Sequence, residues 1–180
     1  MYIKVKNEYK RLNNAKKRTN YLVCNIEGTE YIADIYGLVL YNQRWYILVS
    51  FGEEKKYTFA LDRMKKTWVT SEKSHIDPDF DAIAYFEEFY GIYNSGRDIM
   101  KIVIRAFGDE SYYLRDLPVH DSQREIGSGG DYTDFMIELR PNKELISYLL
   151  SRKNRLKVLS PDCIIDEMKE AIGEMSALYS

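Results

Sequence analysis

The stretch Arg44-Trp45-Tyr46-Ile47-Leu48-Val49, followed after a charged turn by Tyr57-Thr58-Phe59-Ala60-Leu61-Asp62-Arg63-Met64, decides the fold. Aromatic and branched residues dominate both segments, which reads as two strands. Gly52-Glu53-Glu54-Lys55-Lys56 between them is the tip of a hairpin. Side chains alternate along a strand, so Trp45 and Tyr46 point to opposite faces. One of them faces the core, and the other offers a flat ring to a planar ligand. Working outward, residues 21–26 form a short apolar run with Gly28 in the turn after it. Residues 30–40 are a second strand, with Gly37 as its bend or bulge. Tyr41-Asn42-Gln43 is a polar turn into the Trp45 strand, and residues 66–69 complete the set. Five short strands leave two open edges if they lie flat, whereas a curled barrel removes them.

These residues resemble the core of a WYL domain, the effector module of a large family of bacterial transcription regulators. There a Trp-Tyr-Leu strand is followed, after a short turn, by a strand ending in a pattern like Arg-x-Phe-Arg-Leu-Asp-Arg-Ile. Trp45, Tyr46, Phe59, Leu61, Asp62 and Arg63 keep the pattern, and Ile47 takes the place of leucine. Tyr57 and Ala60 stand where arginines are usual, so two cationic contacts are gone. The resemblance implies a small Sm-like or Src-homology-3-like β-barrel over residues 1–72. It also implies a barrel that binds a nucleic-acid-derived ligand, a short single strand or a nucleotide. Binding would shift a homodimer and with it the spacing of attached DNA-reading heads. Residues 1–20 are too short to hold a winged helix-turn-helix domain, so that domain is expected in cis from a longer chain or in trans from a partner.

The 180 residues, 45% of them hydrophobic, suffice for one domain or two small ones. A net charge of −2 does not advertise nucleic-acid binding by the whole surface. Residues 1–20 nevertheless carry seven bases against the single acid Glu8. Tyr9, Leu12 and Ala15, three apart, predict a helix over 7–18 with one narrow buried stripe. That basic segment is either a solvated helix face or an arm that touches phosphates. No run of about 18 apolar residues predicts a membrane span, and the first residues do not form a secretory signal. Cys24 and Cys163 lack metal-ligand spacing and read as core residues of a cytoplasmic protein.

Residues 71–79, polar and broken by Pro78, are the linker. Asp79 then caps a helix whose stripe is Phe80, Ile83, Phe86 and Tyr90. Beyond it, Met100, Ile102 and Ile104 alternate with polar partners in a strand, and 110–116 is a helix stopped before Pro118. Residues 119–126 and 132–140 form a hairpin around Gly127-Ser128-Gly129-Gly130. A helix over 143–151, a strand over 156–159 and a last helix striped by Ile164, Ile165, Met168, Ile172, Met175 and Tyr179 follow. The order βαββαβ plus a helix predicts a ferredoxin-like α/β sandwich over 79–180, giving an α+β chain overall. Many WYL regulators carry such an extension, and Leu117-Pro118-Val119-His120-Asp121-Ser122-Gln123 resembles a Pro-x-His-x-x-Gln run common there.

No catalytic set, metal site or cofactor motif emerges. Asp77, Asp79, Asp81 and Glu88 imitate a calcium loop, but Ala82 occupies the position that demands glycine and Pro78 interrupts it. Acids at a helix start explain them better. The glycine cluster lies between strands and lacks the lysine of a phosphate loop, so it reads as a hairpin tip. His75 is a linker residue, while His120 and Gln123 bind a ligand or hold their own segment. Arg63 beside the aromatic strand suits a phosphate-plus-base ligand, or pairs with a neighbouring acid or carbonyl. The ligand set is therefore Trp45, Tyr46, Lys55, Lys56, Tyr57, Arg63, His120 and Gln123. The reading is a non-enzymatic ligand sensor. Its rivals are a protein-interaction module that simply dimerises and, more remotely, a nucleotide-processing enzyme.

Overall fold

The computed structural model describes residues 2–5, 8–11, 20–26, 29–52, 54–73 and 76–180, with side-chain surroundings from residue 32 onward apart from 53, 65, 66, 69 and 71–75. It is a mixed α/β structure with antiparallel sheets and, among the described residues, four α-helices. The chain divides into two units, Met1–Phe86 and Glu87–Ser180.

In the first unit, β1 (Tyr2–Val5) pairs with β2 (Glu8–Arg11), Val5 opposite Glu8. The helix predicted over 7–18 is therefore a strand where it is described, and residues 12–19 lie outside the described residues. Tyr2, Ile3 and Val5 favour a strand and give residues 8–11 a partner to pair with, which outweighs a weak helical spacing. The main sheet comprises β3 (Asn20–Ile26), β4 (Thr29–Tyr41), β5 (Arg44–Ser50), β6 (Tyr57–Ala60) and β7 (Met64–Lys73). Its order is β6–β5–β4–β3–β7, and a 3-10 turn, Leu61–Arg63, joins β6 to β7. No ladder joins β6 to β7 among the described residues, so the sheet is open and not a closed barrel. At four residues β6 offers little backbone for closure, and a short edge also gives another chain little to pair with.

Both faces of this sheet are covered. Ala33, Ile47 and Val49 form one buried cluster, against which Leu38, Phe59 and Met64 pack. Val39, Leu48 and Ala60 are buried on the other face. The register slips between Ile35 and Gly37, so Tyr36 is the extra residue and the expected Gly37 lies next to it in the bulge, opposite Leu48. Helix α1 (Ala82–Glu87) lies over that bulge, for a Cβ added to Gly37 would sit 3.5 Å from the Cβ of Ala82. The helix starts later than predicted because Asp77 Oδ1 accepts from the Asp79 amide in a turn of its own. Asp81 is the cap instead, accepting from Ile83 N at 2.8 Å.

The second unit runs β8 (Met100–Phe107), α2 (Glu110–Asp116), β9 (Arg124–Ser128), β10 (Tyr132–Leu139), α3 (Lys143–Ser151), β11 (Leu156–Ser160) and α4 (Asp162–Ala177). The sheet order is β11–β8–β10–β9, antiparallel throughout. Ile102, Ile104, Phe135 and Ile137 turn inward by strict alternation and meet Leu114, Leu145, Leu149 and Ile164 of the three helices. The intervening side chains line the opposite face. Asn142 caps α3 with Oδ1 on Leu145 N and donates from Nδ2 to the carbonyls of Tyr90 and Tyr93. In α4 only Ile164 is fully buried, Ile165 and Met168 pack partly on the core, and Ile172 and Met175 are exposed. No described helix is long and apolar enough to cross a membrane.

Replacing Ile104, which is 0% exposed, by alanine is expected to cost about 2–5 kcal/mol. Lys101→Ala on the opposite face is expected to change stability by less than about 0.5 kcal/mol. Urea unfolding followed by circular dichroism compares the two.

Candidate functional site

The register that sets Tyr46 opposite Ala60 brings the start of β5 beside the 3-10 turn. There the Arg44 guanidinium grips Asp62 through Nε at 2.9 Å and Nη2 at 2.7 Å. A two-pronged pair of this kind fixes orientation as well as distance. The hydrogen bonds from Arg44 hold the Asp62 carboxyl below the usual carboxylate range. Arg44 also lies 5.9 Å from the centre of the Tyr46 ring. Trp45 takes the other face, as alternation requires, and its side chain is 38% exposed. Arg63 is exposed and, among the described residues, makes no hydrogen bond or ion pair. An open indole and an uncommitted guanidinium thus share one end of the β5–β6 hairpin.

At the opposite end the two tip lysines part company. Lys55 Nζ lies 5.2 Å from the Tyr57 ring, which packs against Phe51 and Phe59. Lys56 Nζ is 4.7 Å from the Phe80 ring, 4.9 Å from Tyr36 and 5.9 Å from Tyr85, and it donates to the Glu54 carbonyl. Three rings around one ammonium make a cation site, so Lys56 is spent internally. Burial, and then the charges of Asp34 and Asp77, push the Tyr36 hydroxyl up from its ordinary value.

His120 and Gln123 belong to the second unit, and backbone groups already occupy them. Gln123 Oε1 accepts from Val119 N at 2.8 Å, and its Nε2 donates to Leu114 O at 2.7 Å. His120 Nε2 lies 2.8 Å from the Glu87 carbonyl, an acceptor only, so that nitrogen carries the proton. Nδ1 then accepts from the Ser122 amide. These bonds fold residues 119–123 into a turn, which is why β9 begins at Arg124 and not at 119. Of the calcium-like acids, Asp81 caps α1 and Glu88 pairs with Arg140 at 2.7 Å. No group of metal-ligating side chains occurs among the described residues. His75 lies outside them.

Residues 11–68 match the family model of the WYL domain. Over these residues the chain is similar to a WYL domain. The matched segment contains Trp45, Tyr46, Asp62 and Arg63, and the family is one of regulatory, ligand-sensing domains. No curated protein matches the sequence. Among solved structures, proteasome accessory factor B/C (PafBC) of Arthrobacter aurescens is similar at 19% identity, over 84% of this chain and 24% of that one, with a TM-score of 0.34. A CRISPR Cas-related protein is similar at 12% identity, over 92% of this chain and 49% of that one, with a TM-score of 0.53. The latter is a likeness of fold. The chain spans about a quarter of the first protein and about half of the second.

In the first unit, sequence reasoning missed Arg44 as the partner of Asp62 and missed the Tyr36–Phe80–Tyr85 cage. The first had a signal, because Arg44 and Asp62 fall opposite each other once the hairpin register is set. The second had none, since residues 36, 56 and 80 belong to three separate segments.

Asp62 is expected to titrate below the ordinary carboxylate range in carbon-13 NMR, and Arg44→Gln to return it there. A depressed folded value means that the pair stabilises the fold at neutral pH. That contribution fades as pH falls through the folded titration.

Proposed function

We propose that this chain is the ligand-sensing effector region of a bacterial transcription regulator, and that its WYL domain takes a nucleic-acid-derived ligand, a short single strand or a nucleotide. The observations that carry the reading are the exposed Trp45 indole and the exposed, uncommitted Arg63, both at the same end of the β5–β6 hairpin. A ring that stacks a base and a guanidinium that grips a phosphate are the two contacts such a ligand needs. Lys55 and Tyr57 extend the surface along the hairpin, while Tyr46, on the other face, contributes through Arg44, which lies 5.9 Å from its ring. Lys56 contributes only after leaving its cage. With arginines absent at 57 and 60, the ligand carries fewer phosphates than the family pattern accommodates. His120 and Gln123 act indirectly, by holding their turn.

The strand order β6–β5–β4–β3–β7, with a 3-10 turn before the last strand, supports an Sm-like curl of the first sheet. The order β11–β8–β10–β9, with α2 and α3 as crossovers, supports a ferredoxin-like second unit. In the proposed regulator the chain is non-catalytic and cytoplasmic. It works as a homodimer and passes ligand occupancy to a helix-turn-helix domain in cis or in trans by shifting a two-state assembly.

A second reading, a module that only dimerises, is favoured by the exposed Ile172 and Met175 in the last turns of α4 and Leu178 and Tyr179 just after it. It calls for self-association without any affinity for nucleotides.

Fluorescence anisotropy of labelled single strands and nucleotides, titrated over salt, decides between them. Arg63→Ala is expected to weaken binding about tenfold and lower the salt dependence, and Trp45→Ala to weaken it about as much at unchanged salt slope. Binding that ignores both substitutions sinks the WYL-domain site.

A further inference from the structure

The second unit carries a planar stack that the site on the WYL domain does not use. Pairing of β8 with β10 sets Phe107 opposite Tyr132 and Arg105 opposite Asp134, all on the face turned away from the helices. Asp134 accepts from Arg105 Nε at 2.7 Å and Nη2 at 2.8 Å. The guanidinium carbon lies 3.7 Å from the centre of the Tyr132 ring. That ring is seated against Gly129, where an added Cβ would come within 2.4 Å of Tyr132 Cε1. Any larger residue at 129 expels the ring, so the glycine does more than turn the hairpin. Nη1 of Arg105 makes no hydrogen bond among the described residues.

We propose that this open sheet face is a base-stacking site for a single-stranded nucleic acid, centred on the Arg105–Tyr132 stack. A guanidinium locked by a carboxylate fork and laid on a ring presents a flat outer surface, to which a base adds by the same stacking. Four-stranded sheets that hold aromatics on their two central strands take single strands in this manner. Phe107 is the neighbouring ring, and Val103 and Met136, opposite one another and half-buried, continue the apolar floor. Charge identifies the occupant. Lys101, Arg105, Arg124 and Lys157 outnumber Asp131, Asp134 and Glu138 by one on a chain whose net charge is −2. Lys157 lies across from Arg105 on β11, and neither it nor Lys101 has an ion-pair partner among the described residues. A second copy would set this excess of cations against itself, whereas a single strand brings bases and the opposite charge.

The test uses the full chain and fluorescein-labelled octanucleotides of DNA and of RNA, read by anisotropy over a range of salt. Arg105→Lys keeps the charge and removes the plane, and is expected to weaken binding about tenfold at unchanged salt slope. Lys157→Ala, on the exposed side of β11, is expected to reduce the salt slope by about one while leaving the fold alone. Ultraviolet cross-linking of a 5-iodouracil strand is expected to label the peptide containing Tyr132 or Phe107. Retention of these effects in a Trp45→Ala, Arg63→Ala background separates this face from the WYL-domain site. Wild-type affinity in Arg105→Lys overturns the proposal, as do cross-links confined to the first unit. A change of mass in sedimentation without a change in affinity also overturns it and marks the face as a contact between copies. A preference for RNA over DNA, or the reverse, identifies the strand.

Discussion

Every second side chain of a strand points the same way, and in β5 both sets are buried from Ile47 to Ser50. The strand must therefore sit inside the sheet with material on each face, and its neighbours are fixed accordingly. β4 and β6 flank it, α1 covers one side, and the Ile47–Val49 cluster fills the other. Only its first residues emerge, so the family's Trp-Tyr pair lies at the boundary between core and solvent. Core residues and the proposed ligand contact share one strand because burial stops at Tyr46. That boundary makes Trp45 available, while Asp62 keeps Arg44 in place beside it.

Each unit contains an arginine held by an aspartate fork and resting near a tyrosine: Arg44 with Asp62 and Tyr46, and Arg105 with Asp134 and Tyr132. Such a pair contributes little net stability at a surface, because water competes for both partners. What it supplies is direction, since a flexible side chain becomes a fixed plane. In the first unit the plane is 5.9 Å from its ring, and in the second it lies directly on the ring at 3.7 Å.

Much of this architecture was legible in the sequence because it rests on local periodicity. The alternation of Met100, Ile102 and Ile104 gave β8, and the spans of α2 and α3 coincide with their predicted limits. Elements set by pairing were less legible. Residues 8–11 show helical spacing yet form a strand because a neighbouring segment accepts them. β9 starts late because Gln123 and His120 tie their turn to distant carbonyls that no spacing reveals. The candidate site followed the same division. That Trp45 and Tyr46 lie on opposite faces was readable from alternation alone. Lys56, read as a ligand contact at the hairpin tip, is enclosed by the rings of Tyr36, Phe80 and Tyr85, and Gly129 of the glycine cluster, read as a plain tip, seats Tyr132.

Helix α4 is anchored unevenly, with Ile164, Ile165 and Met168 on the core and almost nothing buried beyond them. Opening such a helix from its far end breaks hydrogen bonds but exposes scarcely any new apolar surface. Its last turns can therefore melt and re-form many times within the lifetime of the folded unit, whereas its first turn opens only when the core does. Amide protons along those 16 residues will exchange on a graded clock, slowest near Ile164 and fastest toward Ala177.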